Sequence, residues 1–269
     1  MNFALYKQMM KINAKGMLNY ALGSAFYIIL LTWLYPTITT NANLDEIFKS
    51  MPEAVKNMFG MQAGFGTYEA FISGEYYGLM YLIILAVFSV ALATKLIAKL
   101  VDQGSMAYLL STPTTRVKVA ITQASVLVTG LLLITIVTTF AGFLGHAWFL
   151  DESSAIQTSR FIRLNIVAFL LFFAISGIAF LVSSLSNDEK KAMGISGMIT
   201  FLFFSLDLIG KLSDKLSWLR NFSIFSLFRP SAIVNGQVNF SGVTIILLAI
   251  GFAGFTTGVV AFKKRDLPL

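Results

Sequence analysis

The chain has no cysteine and a single histidine, His146. The first absence excludes disulfides and thiolate metal sites. The second removes most imidazole metal sites, proton relays and histidine-base catalysis. Charge is scarce too. Asp, Glu, Lys and Arg make up 12% of the residues, where a soluble domain carries about 25%. There is no Walker phosphate loop, dinucleotide glycine fingerprint, H-E-x-x-H zinc motif or G-x-S-x-G elbow. No cofactor and no metal is therefore expected on the chain, and it has no recognised means of binding ATP. Any energy for its work must come from a partner or an ion gradient. A cleavable signal-peptide pattern is also missing, because the first apolar run is too long and a Lys-rich helix precedes it.

What is present is apolar. Hydrophobic residues reach 57%, against about 45–50% in soluble domains. That excess predicts an all-α polytopic membrane protein forming one membrane domain over 1–269. Six spans are expected: Met17–Tyr35, Tyr77–Ala93, Val119–Leu144, Asn165–Leu185, Ala192–Ile209 and Val243–Phe262. Each is near the roughly 20 residues that cross about 30 Å of hydrocarbon. Residues 1–16 read as an amphipathic interfacial helix. Lys7, Lys11 and Lys15 fall four apart on one face, opposite Leu5, Tyr6, Met9 and Ile12, which suits contact with anionic lipid.

Orientation follows from Lys and Arg. Twelve of the 20 lie in the termini and the two turns that share a side with them, against four acids there. By the positive-inside rule both termini are cytoplasmic. The net charge of +7 is thus a topology signal, and no nucleic-acid partner is expected. The outer loops, 36–76 and 210–242, are the longer ones. Helical spacing over 44–59 predicts helices on the outer surface. Gly60, Gly64, Gly66 and Gly74 would loosen the return to the second span. Trp218, Phe222, Phe225 and Phe228 suit an interface.

The spans hold almost no charge. Asp207 is the one candidate for a pathway, although Lys211 four residues on can neutralise it. His146 beside Trp148 reads as interfacial. Gly251, Gly254 and Gly258 form a small-residue stripe for close helix packing, within the subunit or against a second one. Lipid-facing filling accounts for most of the 25 Phe residues, while an aromatic cavity between two subunits would suit an apolar or amphipathic cargo.

The inside segment Lys95–Lys118 carries the clearest helix punctuation. Gly104 breaks the preceding helix and Ser105 can cap a new one. Met106, Leu109 and Leu110 recur at helical spacing. Pro113 stops this short helix, and Thr114 or Thr115 can cap the next. The product is an amphipathic turn between two spans, which is a docking surface and not a catalytic pocket.

Asp102-x-Gly104-Ser105-Met106-x-x-Leu109-Leu110-Ser111-Thr112-Pro113-Thr114-Thr115-Arg116 resembles the acidic-x-G-T-L-E-x-L-L-S-T-P-V-S-R segment of type-2 ATP-binding-cassette (ABC) exporter permeases. The layout of the whole chain is similar to that family, and Phe262–Leu267 resembles its basic close. Ala107 stands where the family has an acid, and Gln123 where it often has a lysine. The resemblance implies a non-enzymatic permease subunit of a bacterial plasma-membrane exporter. Two separate cytoplasmic ATPase subunits, which carry the ATP and Mg, would dock on the 95–118 turn. The amino-terminal helix and the 187–191 turn are implied as further contacts. A second permease subunit, identical or paralogous, would complete the pathway. Asp102 and Arg116 would make polar contacts with the ATPase, and Met106, Leu109 and Leu110 would fill its groove. Gly104 and Pro113 would set the angle. Exporters of antimicrobial or toxin peptides are fair comparators. An ion-gradient transporter or an intramembrane enzyme are the alternatives.

Overall fold

The computed structural model describes residues 1–39, 50–58, 67–151 and 157–266. Among them there is no strand. The helices are α1 (Phe3–Thr39), α2 (Glu53–Met58), α3 (Tyr68–Glu75), α4 (Tyr81–Leu96), α5 (Ala98–Asp102), α6 (Ser105–Leu110), α7 (Arg116–Phe149), α8 (Thr158–Leu185), α9 (Glu189–Leu212), α10 (Pro230–Val234) and α11 (Phe240–Lys264). Six helical stretches are long and apolar enough to cross a membrane: α1, Tyr68–Asp102, α7, α8, α9 and α11. The chain is an all-α polytopic membrane protein, as its apolar runs predict. Both ends of the chain, the α5–α6 turn and the α8–α9 turn lie at one end of the bundle, called the basic end below.

Three boundaries differ from expectation. The interfacial helix over 1–16 is not a separate element, because α1 runs unbroken from Phe3 to Thr39. Its packing on α7 nevertheless changes slope. Met17 lies against Gly130, Ile28 against Gly142 and Thr32 against Gly145, an almost constant register. A straight continuation would put Tyr6 level with Val119. Its hydroxyl instead donates to Thr129 at 2.9 Å, ten residues or about 15 Å further along. The first turns therefore cross α7 obliquely, with Lys7, Lys11 and Lys15 exposed. Second, the second span starts at Tyr68 and not Tyr77, so Gly74 is a buried helical residue and loosens nothing. Gly60, Gly64 and Gly66, with residues 44–49 and 59, lie outside the described residues, and α2 is the described helical part of the 44–59 stretch. Third, 210–242 folds mainly as 3-10 turns, Asp214–Phe222 and Ile224–Leu227. Phe225 and Phe228 are buried in the core, while Trp218 and Phe222 are exposed.

A π turn over Tyr76–Met80 joins α3 to α4. Its extra residue lets Tyr76, Tyr77 and Tyr81 all face inward, where each is fully buried. Polar atoms inside hydrocarbon need partners. The Tyr76 hydroxyl shares a 2.5 Å bond with Ser24, which also bonds Thr138 at 2.6 Å. Tyr77 donates to Asn165 at 3.0 Å.

The tightest seam joins α8 and α11. A Cβ on Gly254 would lie 2.6 Å from the carbonyl carbon of Gly177, and one on Gly177 would lie 2.6 Å from the Gly251 carbonyl oxygen. Gly258 meets Phe180 and Leu181. The stripe of Gly251, Gly254 and Gly258 thus serves packing within the subunit. Gly254→Val should lower stability by about 1–3 kcal/mol, the usual cost of overpacking. Gly194→Ala, where nothing lies within 4 Å, should cost nothing measurable. Unfolding of the two variants in mixed micelles checks the difference.

Candidate functional site

The basic end is built around a break in the second span. Ile97 leaves the helical region at φ −125°, ψ −68°. Two backbone groups lose their partners there, and one side chain serves both. Ser183 of α8 donates its hydroxyl to the Ala93 carbonyl at 2.9 Å and accepts from the Ala98 N–H at 3.0 Å. An inserted side chain is a recognised cause of such kinks. The chain then makes α5, turns at Gly104 with φ 70°, a backbone state that glycine adopts at little cost, and makes α6. Gly104 itself occupies the cap position of α6 with no side-chain capping bond. Ser105 is the first helical residue and not the cap. Thr115 does cap α7, accepting from the Lys118 N–H at 3.3 Å.

Hydrogen bonds tie this turn to every other segment at the same end. Asp102 accepts from the Glu189 N–H at 3.2 Å, and Lys99 pairs with Glu189 at 3.1 Å. The α5–α6 turn is thereby fastened to the start of α9, which Asp188 caps through Lys191 N–H at 2.7 Å. Arg116 donates to the Arg265 carbonyl at 2.7 Å. Arg265 donates to the carbonyls of Ser184 and Ser186 at 2.6 and 3.0 Å, and its guanidinium lies over the Phe262 ring. Burial, and then the Arg116 charge, lower the Arg265 guanidinium from its ordinary value, although an arginine stays protonated. At the amino terminus, Asn2 donates to Thr122 and Thr114 at 2.8 and 3.0 Å.

This arrangement redistributes the roles expected from sequence. Met106 is fully buried in the chain's own core, and Leu109 and Leu110 are half-buried against it. A side chain sealed inside its own bundle cannot fill a partner's groove, so the expectation for Met106 is overturned. The protruding residue is Tyr108, 81% exposed, with Ser111, Thr112 and Pro113 exposed beside it. Asp102 is exposed but engaged, and Arg116 is half-buried. Both brace the turn from within. Gln123 is fully buried and lies away from the docking face.

At the opposite end, Asp207 is almost fully buried and pairs with Lys211 at 2.6 Å and with Arg220 at 3.1 Å. Arg220 belongs to the 3-10 segment, whose side chain also packs on Gly210. Asp207 is thus a latch between α9 and the 214–222 segment. The tie to Lys211 was legible as an i,i+4 pair, and Arg220 was not. Glu75 is a second carboxylate in a span, at the head of the π turn and half-buried. The apolar spacing of Tyr68, Phe71, Ile72 and Tyr76 would have extended the span to include it.

Between α4 and α9 lies an apolar groove of about 400 Å³, bordered by Leu82, Ile83, Val87, Phe201, Phe204 and Phe225. Asp207→Asn should cost about 3 kcal/mol, because it strands two partly buried cations. Limited proteolysis at Lys215 or Arg220 should accelerate accordingly, and Lys211→Ala should do much less because Arg220 keeps its partner.

The family described as ABC-2 family transporter protein matches residues 25–267. Among curated proteins, nothing matches the chain. That match extends from within α1 past the end of α11, across the broken second span, the braced turn and the small-residue seam. The chain belongs to the ABC-2 transporter family, the membrane components of ABC transporters.

Proposed function

We propose that this chain is the permease subunit of a bacterial ABC exporter, working with a second permease subunit and two separate ATPase subunits. The basic end faces the cytoplasm. It holds most of the Lys and Arg, as the positive-inside rule requires. Plasma-membrane location accords with the family and the six apolar stretches.

One observation carries the reading. A two-turn helix, α6, hangs between two spans, and a single aromatic side chain, Tyr108, projects from it into solvent. Exposed aromatics on a rigid support are typical anchors at protein interfaces. The support is rigid because Asp102, Lys99, Arg116 and Arg265 bind the turn to the α8–α9 turn and to the end of α11. A push on Tyr108 reaches α4 through α5 and reaches α9 through Asp102 and Glu189. ATP binding and hydrolysis, with Mg, occur on the partner. This chain converts the motion of its partner into a switch between two helix packings.

The cargo is apolar or amphipathic, with a peptide as the favoured class. The α4–α9 groove supports this. It is lined by carbon, open to the side and bounded by the exposed ring of Phe201, with Phe204 and Phe225 deeper. Two copies meeting along these faces would enclose a passage of that character. Small hydrophilic ions would find almost no polar lining there.

Tyr108→Asp should abolish co-purification of the ATPase and reduce transport to background, while the chain still folds. Met106→Asp should instead unfold the bundle, because it buries a charge. Retention of the ATPase by Tyr108→Asp would sink the docking assignment. Gly197 borders the groove with nothing within 4 Å of a would-be Cβ. Gly197→Trp should therefore fit without strain, block transport and leave ATPase binding intact. Unchanged export of a fluorescent amphipathic peptide by this variant would exclude the α4–α9 face as the pathway.

A further inference from the structure

A second apolar groove, of about 630 Å³, lies on a different face between α7 and α11, with Phe173 of α8 among its lining. We propose that it holds one acyl chain of an anionic phospholipid from the leaflet at the basic end, with the phosphate seated between Lys118 and Lys263.

The lining is chemically uniform. Ile121, Phe252 and Val260 are exposed along it. The hydroxyls in the groove are turned back on their own helices: Ser125 donates to the Ile121 carbonyl, Thr129 to Ser125 and Thr256 to Phe252, at 2.7–2.9 Å. What the groove presents is therefore mostly carbon, which suits a hydrocarbon chain.

Its length and position fit one leaflet. On α7 it runs from Ile121 to Thr129, and on α11 from Phe252 to Val260. Eight residues rise about 12 Å, most of half of a hydrocarbon core of about 30 Å. It begins at the basic end and stops near the middle, whereas a transport pathway must continue to the other side.

The mouth supplies the charge. Lys118 lies one turn before Ile121 on the same face of α7. Lys263 lies one turn beyond Val259 and Val260 on the same face of α11. Both are exposed, and neither makes an ion pair among the described residues. At the inner end the Tyr6 hydroxyl donates to Thr129 of the lining. An apolar slot ending in two lysines complements a lipid with a negative phosphate headgroup. A second copy of the chain fits worse. Two-fold packing on this face would set Lys118 and Lys263 of both copies against each other at the same end.

The test uses the full chain, stripped of lipid in mild detergent, with no ATPase present. Its outcome therefore does not bear on the transport reading. Native mass spectrometry follows titration with phosphatidylglycerol or phosphatidylcholine. Wild type should retain one phosphatidylglycerol in preference to phosphatidylcholine. Lys118→Gln with Lys263→Gln should weaken that retention about 30-fold, and either change alone about fivefold. Ala124→Trp, which fills the slot, should remove retention of both lipids. Val128→Phe serves the same purpose if the Trp variant elutes as aggregate. Glycerol phosphate should not compete, since it lacks the chain. Equal binding of the two lipids, a lysine-independent preference, or competition by glycerol phosphate would overturn the proposal. So would a groove-filling variant that splits a dimer yet keeps its phosphatidylglycerol.

Discussion

Backbone amides inside a bilayer have no water to turn to, and every peptide group must find its partner within the protein. This constraint shapes the whole molecule. It explains why most of the spans are long, unbroken helices, and why α1 has no break at Gly16. It also explains the many Ser and Thr hydroxyls that bond to their own helix one turn back, as at Thr200 and Thr256. Most of all it governs the break at Ile97. A helix can be interrupted near the membrane surface only if something repairs the freed amide and carbonyl, and Ser183 repairs both. The turn that faces a partner thus depends on one hydroxyl of a neighbouring span.

The same constraint moves charge to the ends. At the basic end, the Nη1 group of Arg265 donates to a carbonyl near the end of α8 and to one in the turn beyond. At the far end, Asp207 gathers Lys211 and Arg220 and so binds a surface segment to α9. The two clusters differ in character. The far cluster pairs opposite charges around one buried carboxylate. The basic end relies more on carbonyls and backbone N–H groups, which hold geometry without neutralising the surface. Lysines are left free there to meet acidic groups.

The architecture was legible because each span is a long apolar run and Lys and Arg mark one side. The punctuation at Gly104, Pro113 and Thr115 placed α6 within a residue or two. The facing of α6 was not legible. In a helix of six residues, Met106 and Tyr108 are both plausible outward positions, and only the bundle decides which is sealed. Periodicity also failed at the second span. A π turn adds one residue and shifts the phase, so the inward set of Tyr76, Tyr77 and Tyr81 does not read as one face of an α-helix. Ser183 was invisible for another reason. A serine in an apolar run usually bonds its own helix, and nothing in sequence marks the one that bonds a neighbour. Arg220 and Arg265 were hidden because their partners are distant in sequence.

Glycine environments divide the bundle into firm and loose parts. Gly130, Gly142 and Gly145 are closed in by α1 side chains, with Phe88 of α4 also at Gly130 and Phe161 at Gly142, and Gly177, Gly251 and Gly254 by one another's helices. At Gly177 and Gly254 a Cβ would meet backbone at 2.6 Å, so α8 and α11 would have to part, whereas at Gly130, Gly142 and Gly145 it would meet side chains. Gly194 and Gly197 of α9 meet nothing, and α9 exposes Met198, Phe201 and Leu202. Interiors pack to near-crystalline density and resist continuous deformation. A rearrangement should therefore carry α1 with α7, and α8 with α11, as intact pairs. It should be taken up where α9 and α4 face each other across the open groove. Asp102 and the Asp207 latch hold the two ends of that same α9. The helix most free to move is thus gripped at one end by the turn that receives the push, and at the other by the segment that closes the far side.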